Sequence, residues 1–262
     1  MPLLSVKDLA FRYAGFGLEG INAEAEASQI ISVLGPNGAG KSTLLDLLAG
    51  FKTPHEGECL LQDQSLRMLS RERASRIAAH VPQSIPSEIP FLVEDVVMTG
   101  RLPHSSGLFE SPEDEAALEN ALARVGLESM RRRVFSTLSG GEKQRVLLAA
   151  AICQQTPILL LDEPNAHLDP ENDVLLWELM KELRLCGCLI IIATHKLSLA
   201  AQYSDRIWLM NLGRLVIDRD LKLGLPLGEM REVFRVAFHL YKTEDGQTFL
   251  NYGLNSGLQY GR

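Results

Sequence analysis

The sequence predicts an α/β fold: a mostly parallel core sheet with flanking helices and an α-helical subdomain inserted between its strands. Three observations carry this expectation. Gln29 to Leu34, Pro157 to Asp162 and Leu189 to Thr194 are short, continuously apolar runs, the pattern of parallel strands buried on both faces. The first of them runs directly into a glycine-rich stretch and then into leucines at helical spacing. Between the first and second, Val93 to Gln155 carries mainly helical patterns.

Taken in order, Leu4 to Tyr13 alternates partly and reads as a strand, with Gly15 and Gly17 marking a turn after it. Ser42 to Ala49 reads as a helix closed by Gly50, Ser70 to Ala79 as a short basic helix, and Ala79 to Gln83 as a strand end. The proline-rich Ser84 to Pro90 is a candidate hinge. Glu113 to Val125 is amphipathic, started by Ser111-Pro112 and stopped by Gly126. A helix is expected from Pro170 to Leu185, and a hairpin over Arg206 to Ile217 turning at Asn211-Leu212-Gly213. Beyond Asp220 the pattern weakens, although Phe234, Phe238, Tyr241, Phe249 and Tyr252 indicate an added strand and helix. The expected organisation is one unit over residues 1–220, with the helical subdomain at about 84–155, and a C-terminal extension over 221–262.

With 262 residues, 46% of them hydrophobic, the chain can bury a full core. A formal net charge of −7 argues against a dedicated nucleic-acid binder. No apolar run approaches the roughly 20 residues that cross a bilayer, and the N-terminus lacks the basic start and apolar stretch of a secretory signal. A soluble, cytosolic chain is expected. The 4 cysteines, Cys59, Cys153, Cys186 and Cys188, have no zinc-site spacing and read as reduced thiols.

The chemistry concentrates in a few stretches. Gly35-Pro36-Asn37-Gly38-Ala39-Gly40-Lys41-Ser42-Thr43 matches a phosphate loop placed between a strand and a helix. Glycines let backbone N–H groups approach phosphates, Lys41 reaches the β- and γ-oxygens, and Ser42 can ligate Mg²⁺. Asp162 and Glu163 end an apolar strand, where parallel sheets place ligand chemistry. Asp162 can hold a Mg²⁺ shell and Glu163 can orient or deprotonate water; the plainer alternative is a carboxylate pair capping the next helix. Ser139-Gly140-Gly141 precedes a helical segment and offers an anion site, or an ordinary N-cap.

In their order and spacing these pieces resemble the nucleotide-binding subunit of the ATP-binding cassette (ABC) family, over roughly Leu4 to Asp218. Leu138-Ser-Gly-Gly-Glu-Lys-Gln-Arg145 resembles the family signature. The resemblance implies a P-loop NTPase cassette with an N-terminal antiparallel β portion. It makes Gly35 to Thr43 the Walker A motif and Ile158 to Glu163 the Walker B motif. It further implies Gln83 as the glutamine contacting Mg²⁺, Asp169 in a loop crossing a dimer interface, His195 as the switch histidine and Tyr13 as the aromatic stacking on adenine. ATP and Mg²⁺ are the implied cofactors. Each ATP would lie between one chain's Walker A motif and Ser139, Gly140 and Gly141 of a second, in a homodimer or a pair of ABC subunits. Lys196 departs from the family, whose members usually carry Asp there.

The resemblance also implies hydrolysis coupled to transport through separate transmembrane permease subunits, at the cytoplasmic side of the inner membrane, with a substrate-binding protein engaged indirectly and no nucleic acid. Val93 to His104, with its Gly100-Arg101-x-Pro103-His104 stretch, resembles importers of iron–siderophore, haem and vitamin B12 type. A zinc or manganese importer ATPase, or a soluble ABC ATPase of iron–sulfur cluster assembly, are the alternatives.

Overall fold

The computed structural model describes residues 1–13, 15–83, 90–104, 111–165, 168–242 and 248–253. From the N-terminus, β1 (Leu4–Tyr13), β2 (Phe16–Ala25) and β3 (Ile30–Leu34) lead into α1 (Lys41–Leu48), followed by β4 (Glu56–Leu61), β5 (Gln64–Ser65), α2 (Arg71–Ile77) and β6 (Ala78–Val81). Then come α3 (Val93–Met98), α4 (Pro112–Arg124) and α5 (Gly140–Cys153). The core resumes with β7 (Ile158–Asp162), α6 (Pro170–Leu185), β8 (Leu189–Ala193), α7 (Leu197–Tyr203), β9 (Arg206–Asn211) and β10 (Arg214–Asp220). Last are α8 (Leu227–Phe234), β11 (Ala237–Lys242) and β12 (Thr248–Gly253).

The main sheet has the order β10-β9-β3-β8-β7-β6, parallel from β9 through β6, with β10 returning antiparallel along β9. Every residue of β3, β7 and β8 is buried. Successive side chains point to opposite faces, so Ile30 and Leu34 join the core beneath α3, α4 and α5 while Ile31 and Val33 join the core shared with α1 and the N-terminal strands. Two apolar faces per strand are why these strands show no alternation in sequence. The pairs Val33↔Ala193 and Asp162↔Ala193 set the carboxyl ends of β3, β8 and β7 side by side. Whatever follows those three strands therefore converges on one place.

A second sheet, β2-β1-β4-β5, is antiparallel. Of its strands only β1 is legible in the sequence. Gly17, read as part of a turn, pairs with Arg12 inside the β1–β2 ladder, and β4 opens on the polar Glu56-Gly-Glu58, which hides its strand character. After Asp220 the structure has a helix and two strands, where one strand and a helix were expected. Leu250 of β12 and Phe238 of β11 are buried, and the Ser198 hydroxyl on α7 donates to the Leu250 carbonyl.

The Gly100-Arg101-x-Pro103-His104 stretch has a structural task. A Cβ on Gly100 would stand 2.1 Å from the Ala150 carbonyl oxygen, so only glycine lets this turn lie against α5. The buried Arg101 donates to Asp114 at 2.7 Å, to the Cys153 carbonyl at 3.1 Å and to Gln155 at 2.9 Å, which ties the start of α4 to the end of α5. His104 meets the Gln154 carbonyl at 2.9 Å. Of the proline-rich hinge, residues 84–89 lie outside the described residues.

Candidate active site

The loop following β3 wraps a cleft of about 540 Å³ lined by Phe16, Asn37, Gly38, Gly40, Lys41, Ser42, Thr43, Gln83, Glu163 and His195. Gly40 takes φ 104° at the start of α1, and a Cβ there would lie 2.5 Å from the Leu18 side chain and 2.8 Å from the Phe16 ring. The loop is thereby pressed onto β2, with the N-terminal amides of α1 opening into the cleft. Of the remaining loop positions, Gly35, Pro36 and Ala39 do not line it, although Gly35 and Pro36 act through their carbonyls.

Lys41 is 5% exposed. Its ammonium donates to the Gly35 carbonyl at 3.0 Å and the Pro36 carbonyl at 3.2 Å, so the lysine is folded onto its own loop. Burial holds its pKa below the usual lysine value, opposed by the nearby Glu163 and Asp162 carboxylates. Asp162, at the end of β7, is 5% exposed. Burial pushes its carboxyl above the ordinary range, against the pull of a hydrogen bond from the Ser42 hydroxyl. Its Oδ1 is buried with no hydrogen-bond partner.

Such an orphaned carboxylate oxygen, bonded through its group to a serine hydroxyl, is the donor set of a hard divalent cation that keeps most of its ligands as water or phosphate. No group of three His, Cys, Asp or Glu side chains suited to a metal occurs among the described residues. The residues thus fit Mg²⁺ held by one carboxylate, Ser42 and a bound phosphate chain, and they do not fit an all-protein metal cage.

Glu163 adopts φ 47°, a left-handed conformation that costs a non-glycine residue roughly 1–3 kcal/mol. Its amide is secured to the Ala193 carbonyl at 2.9 Å. The turn aims the carboxylate across the cleft, where Oε1 lies 2.7 Å from His195 Nε2 and Oε2 accepts a hydrogen bond from Gln83 Nε2 at 2.9 Å. Three residues from the ends of β7, β8 and β6 meet on one carboxyl group.

A second concavity of about 570 Å³ is lined by Ser139, Gly140, Gly141, Glu142, Arg145, Leu168, Asp169 and Asn172. It shares no lining residue with the first. Ser139 caps α5 in a closed box: its hydroxyl donates to Glu142 Oε2 at 2.8 Å and accepts from the Glu142 amide at 3.3 Å. The Ser139 amide bond to Glu142 holds that carboxyl below the usual range. Asp169 caps α6 by accepting from the Asn172 amide at 2.8 Å. The N-cap reading of Ser139 describes these atoms, and Ser139 and Asp169 line one surface. His167 lies outside the described residues.

A family model described as ABC transporter matches residues 18–166, more than half of the chain. The chain belongs to the ABC transporter family. It is 40% identical over 217 residues to a hemin import ATP-binding protein of Streptomyces coelicolor, covering 83% of this chain and 77% of that one. It is 40% identical over 199 residues to a cobalamin import ATP-binding protein of Halobacterium salinarum, covering 76% of this chain and 50% of the relative, so the chain spans about half of that protein. Among solved structures it is similar to an inward-facing metal-chelate type ABC transporter, with a TM-score of 0.84, 26% identity and coverage of 98% of this chain and 100% of the other. As an ATP-binding member of this family the chain is an ATPase, with the ABC cassette fold expected from its motifs.

Within this cassette the structure brings Lys41, Ser42, Asp162, Glu163, Gln83 and His195 together and sets Ser139, Gly140, Gly141 and Asp169 apart. Tyr13 is 73% exposed and does not line the cleft. Phe16, which no motif singled out, does line it, and its place at the start of β2 opposite Tyr13 is visible only once the β1–β2 register is known. Lys196 carries its ammonium 2.6 Å from Asp173 Oδ2 on α6, a partner equally absent from the sequence reading. No helix among the described residues is long and apolar enough to cross a membrane.

Proposed function

We propose that this ATPase powers import of a metal chelate (an iron–siderophore, haem or cobalamin), working as a pair of cassettes at the cytoplasmic face of the inner membrane beneath a separate permease. One observation carries the hydrolytic part of this reading: the Glu163 carboxylate is held by Gln83 and His195 in the cleft that Lys41 and Ser42 line. ATP binds with its phosphates on the amides of Gly38 to Thr43. Lys41 exchanges its loop carbonyls for the β- and γ-oxygens. Mg²⁺, when bound by Ser42 and Asp162 with Gln83 nearby, supplies charge neutralisation at the phosphate oxygens. Glu163 takes the proton from the attacking water, a role worth about 10²–10⁴ in rate, and His195 holds Glu163 in place and contacts the γ-phosphate.

The Ser139–Gly141 surface completes the site in trans, with Asp169 at the interface between two copies. Nucleotide contacting both chains lowers the energy of the closed pair only, so binding closes it and hydrolysis releases it. Domain division follows: residues 1–220 are the cassette, 84–155 the helical arm that faces the permease, and 221–262 an extension. The import subunits among its relatives favour this reading over a zinc or manganese importer and over iron–sulfur cluster assembly.

Uptake by cells lacking the chain tests the cargo. Loss of labelled haem, ferric siderophore or cobalamin uptake, with zinc and manganese uptake unchanged, is expected. Intact uptake of all three chelates, or a defect confined to zinc, manganese or cluster assembly, overturns it.

A further inference from the structure

Lys196 directly follows the histidine that meets Glu163, and its side chain turns away from the cleft. Its ammonium reaches Asp173 Oδ2 at 2.6 Å, and Asp173 is only 4% exposed. Among the described residues the second oxygen of Asp173 is buried without a hydrogen-bond partner, and Lys196 is the one side-chain cation paired with this carboxylate. The Lys196 side chain is half-exposed while Asp173 is buried, so taking the lysine away would leave a buried carboxylate uncompensated, which is costly. Asp173 lies in the first turn of α6, and its amide donates to the Asp169 carbonyl at 2.9 Å. At the other end, the Lys196 amide donates to the Thr194 hydroxyl at 3.1 Å. A second link runs parallel to it: the Thr194 hydroxyl donates to Asn165 Oδ1 at 3.5 Å, just ahead of the same loop.

We infer that Lys196 and Asp173 are positioning residues, joined in an ion pair that fixes the β8–α7 turn bearing His195 to the Asp169 end of α6. Neither side chain lines the nucleotide cleft. The pair sets how closely His195 approaches Glu163 and makes that approach depend on where Asp169 lies. This rests on the reading of Glu163 and His195 as hydrolytic residues, and it adds a tether between them and the surface that a second copy is proposed to meet.

The test is steady-state ATP hydrolysis by the purified full chain, with ATP affinity measured separately and circular dichroism confirming the fold. Lys196→Asp and Asp173→Lys should each lower kcat at least tenfold with KM for ATP within twofold. The double variant Lys196→Asp/Asp173→Lys should return kcat to within about threefold of the original. Should either single variant fail to fold, Lys196→Gln/Asp173→Asn leaves no unpaired buried charge and should fold with kcat about tenfold down and ATP affinity unchanged. Single variants of unchanged kcat, a reversed pair as slow as the singles, or a neutral pair of full activity each overturn the tether. Glu163→Gln serves as the separate control: original turnover in that variant sinks the hydrolytic reading itself, whatever the ion-pair variants do.

Discussion

The cleft around Lys41 and the surface around Ser139 differ in how their polar groups are satisfied. In the Walker A cleft, charges are buried and incompletely paired: Lys41 rests on its own loop carbonyls, Asp162 keeps an orphaned oxygen, and Glu163 sits on a strained backbone between Gln83 and His195. On the signature surface, Ser139 and Glu142 satisfy one another and Asp169 satisfies its own helix end. The first surface stores unmet demand, which a triphosphate and a cation would relieve. The second has its cap side chains satisfied and presents backbone amides at a helix N-terminus.

The contrast breaks most sharply at Glu163. Glu163→Gln should slow phosphate release roughly a thousandfold, within the range for loss of a general base, while ATP binding survives. Turnover unchanged in a phosphate-release assay would remove the carboxylate from the reaction. Lys41→Ala should weaken ATP binding by about a hundredfold, about 2.7 kcal/mol, as expected for loss of a buried charged donor; fluorescent-nucleotide titration reads it. Ser139→Arg acts on the other surface. It should leave binding to the isolated chain within about twofold and abolish turnover, at a cap cost of about 1 kcal/mol in stability. Retained turnover would show that one chain suffices.

Smaller effects sharpen the same contrast. Gly100→Ala drives a methyl into the Ala150 carbonyl and should cost about 1–3 kcal/mol, lowering Tm by several degrees without altering ATP affinity. Asp162→Asn should do the reverse. Because burial raises the Asp162 pKa above its unfolded value, the folded state holds that proton more readily. Its contribution to stability is full below the ordinary carboxylate range and is lost as pH rises through the raised value. The nucleotide-free variant should therefore gain about 1 kcal/mol at pH 7, the scale of a buried polar group without a partner, and the gain should vanish as pH falls below the ordinary carboxylate range. Thermal melts at the two pH extremes decide it, and an equal gain at both would sever the link to Asp162 ionisation.

The parts of the fold that could be read from sequence are those whose burial is complete. β3, β7 and β8 are buried at every position and apolar at all but Ser32 and Asp162, because helices or the second sheet cover both faces, and α6 shows its cap and its register together in Asp169-Pro170. β2 and β4 escaped because one side of each is wet and glycine or glutamate interrupts the alternation. In the site, Gly35 to Thr43 and Asp162-Glu163 were legible because backbone chemistry and strand ends constrain neighbouring residues. Phe16 was not, since only its strand's register puts it over Gly40. Asp173 carried no sequence signal of its own, since only the packing of α6 takes it out of solvent.

The sequence by itself determined the fully buried strands β3, β7 and β8, the phosphate loop and the residue types at those strand ends, since these follow from local burial and spacing. Only the tertiary structure decided that the ends of β3, β7 and β8 stand adjacent, that Glu163 meets Gln83 and His195, and that Lys196 finds Asp173. Those contacts join residues far apart along the chain, and sheet order and helix docking bring them together, which local patterns do not encode.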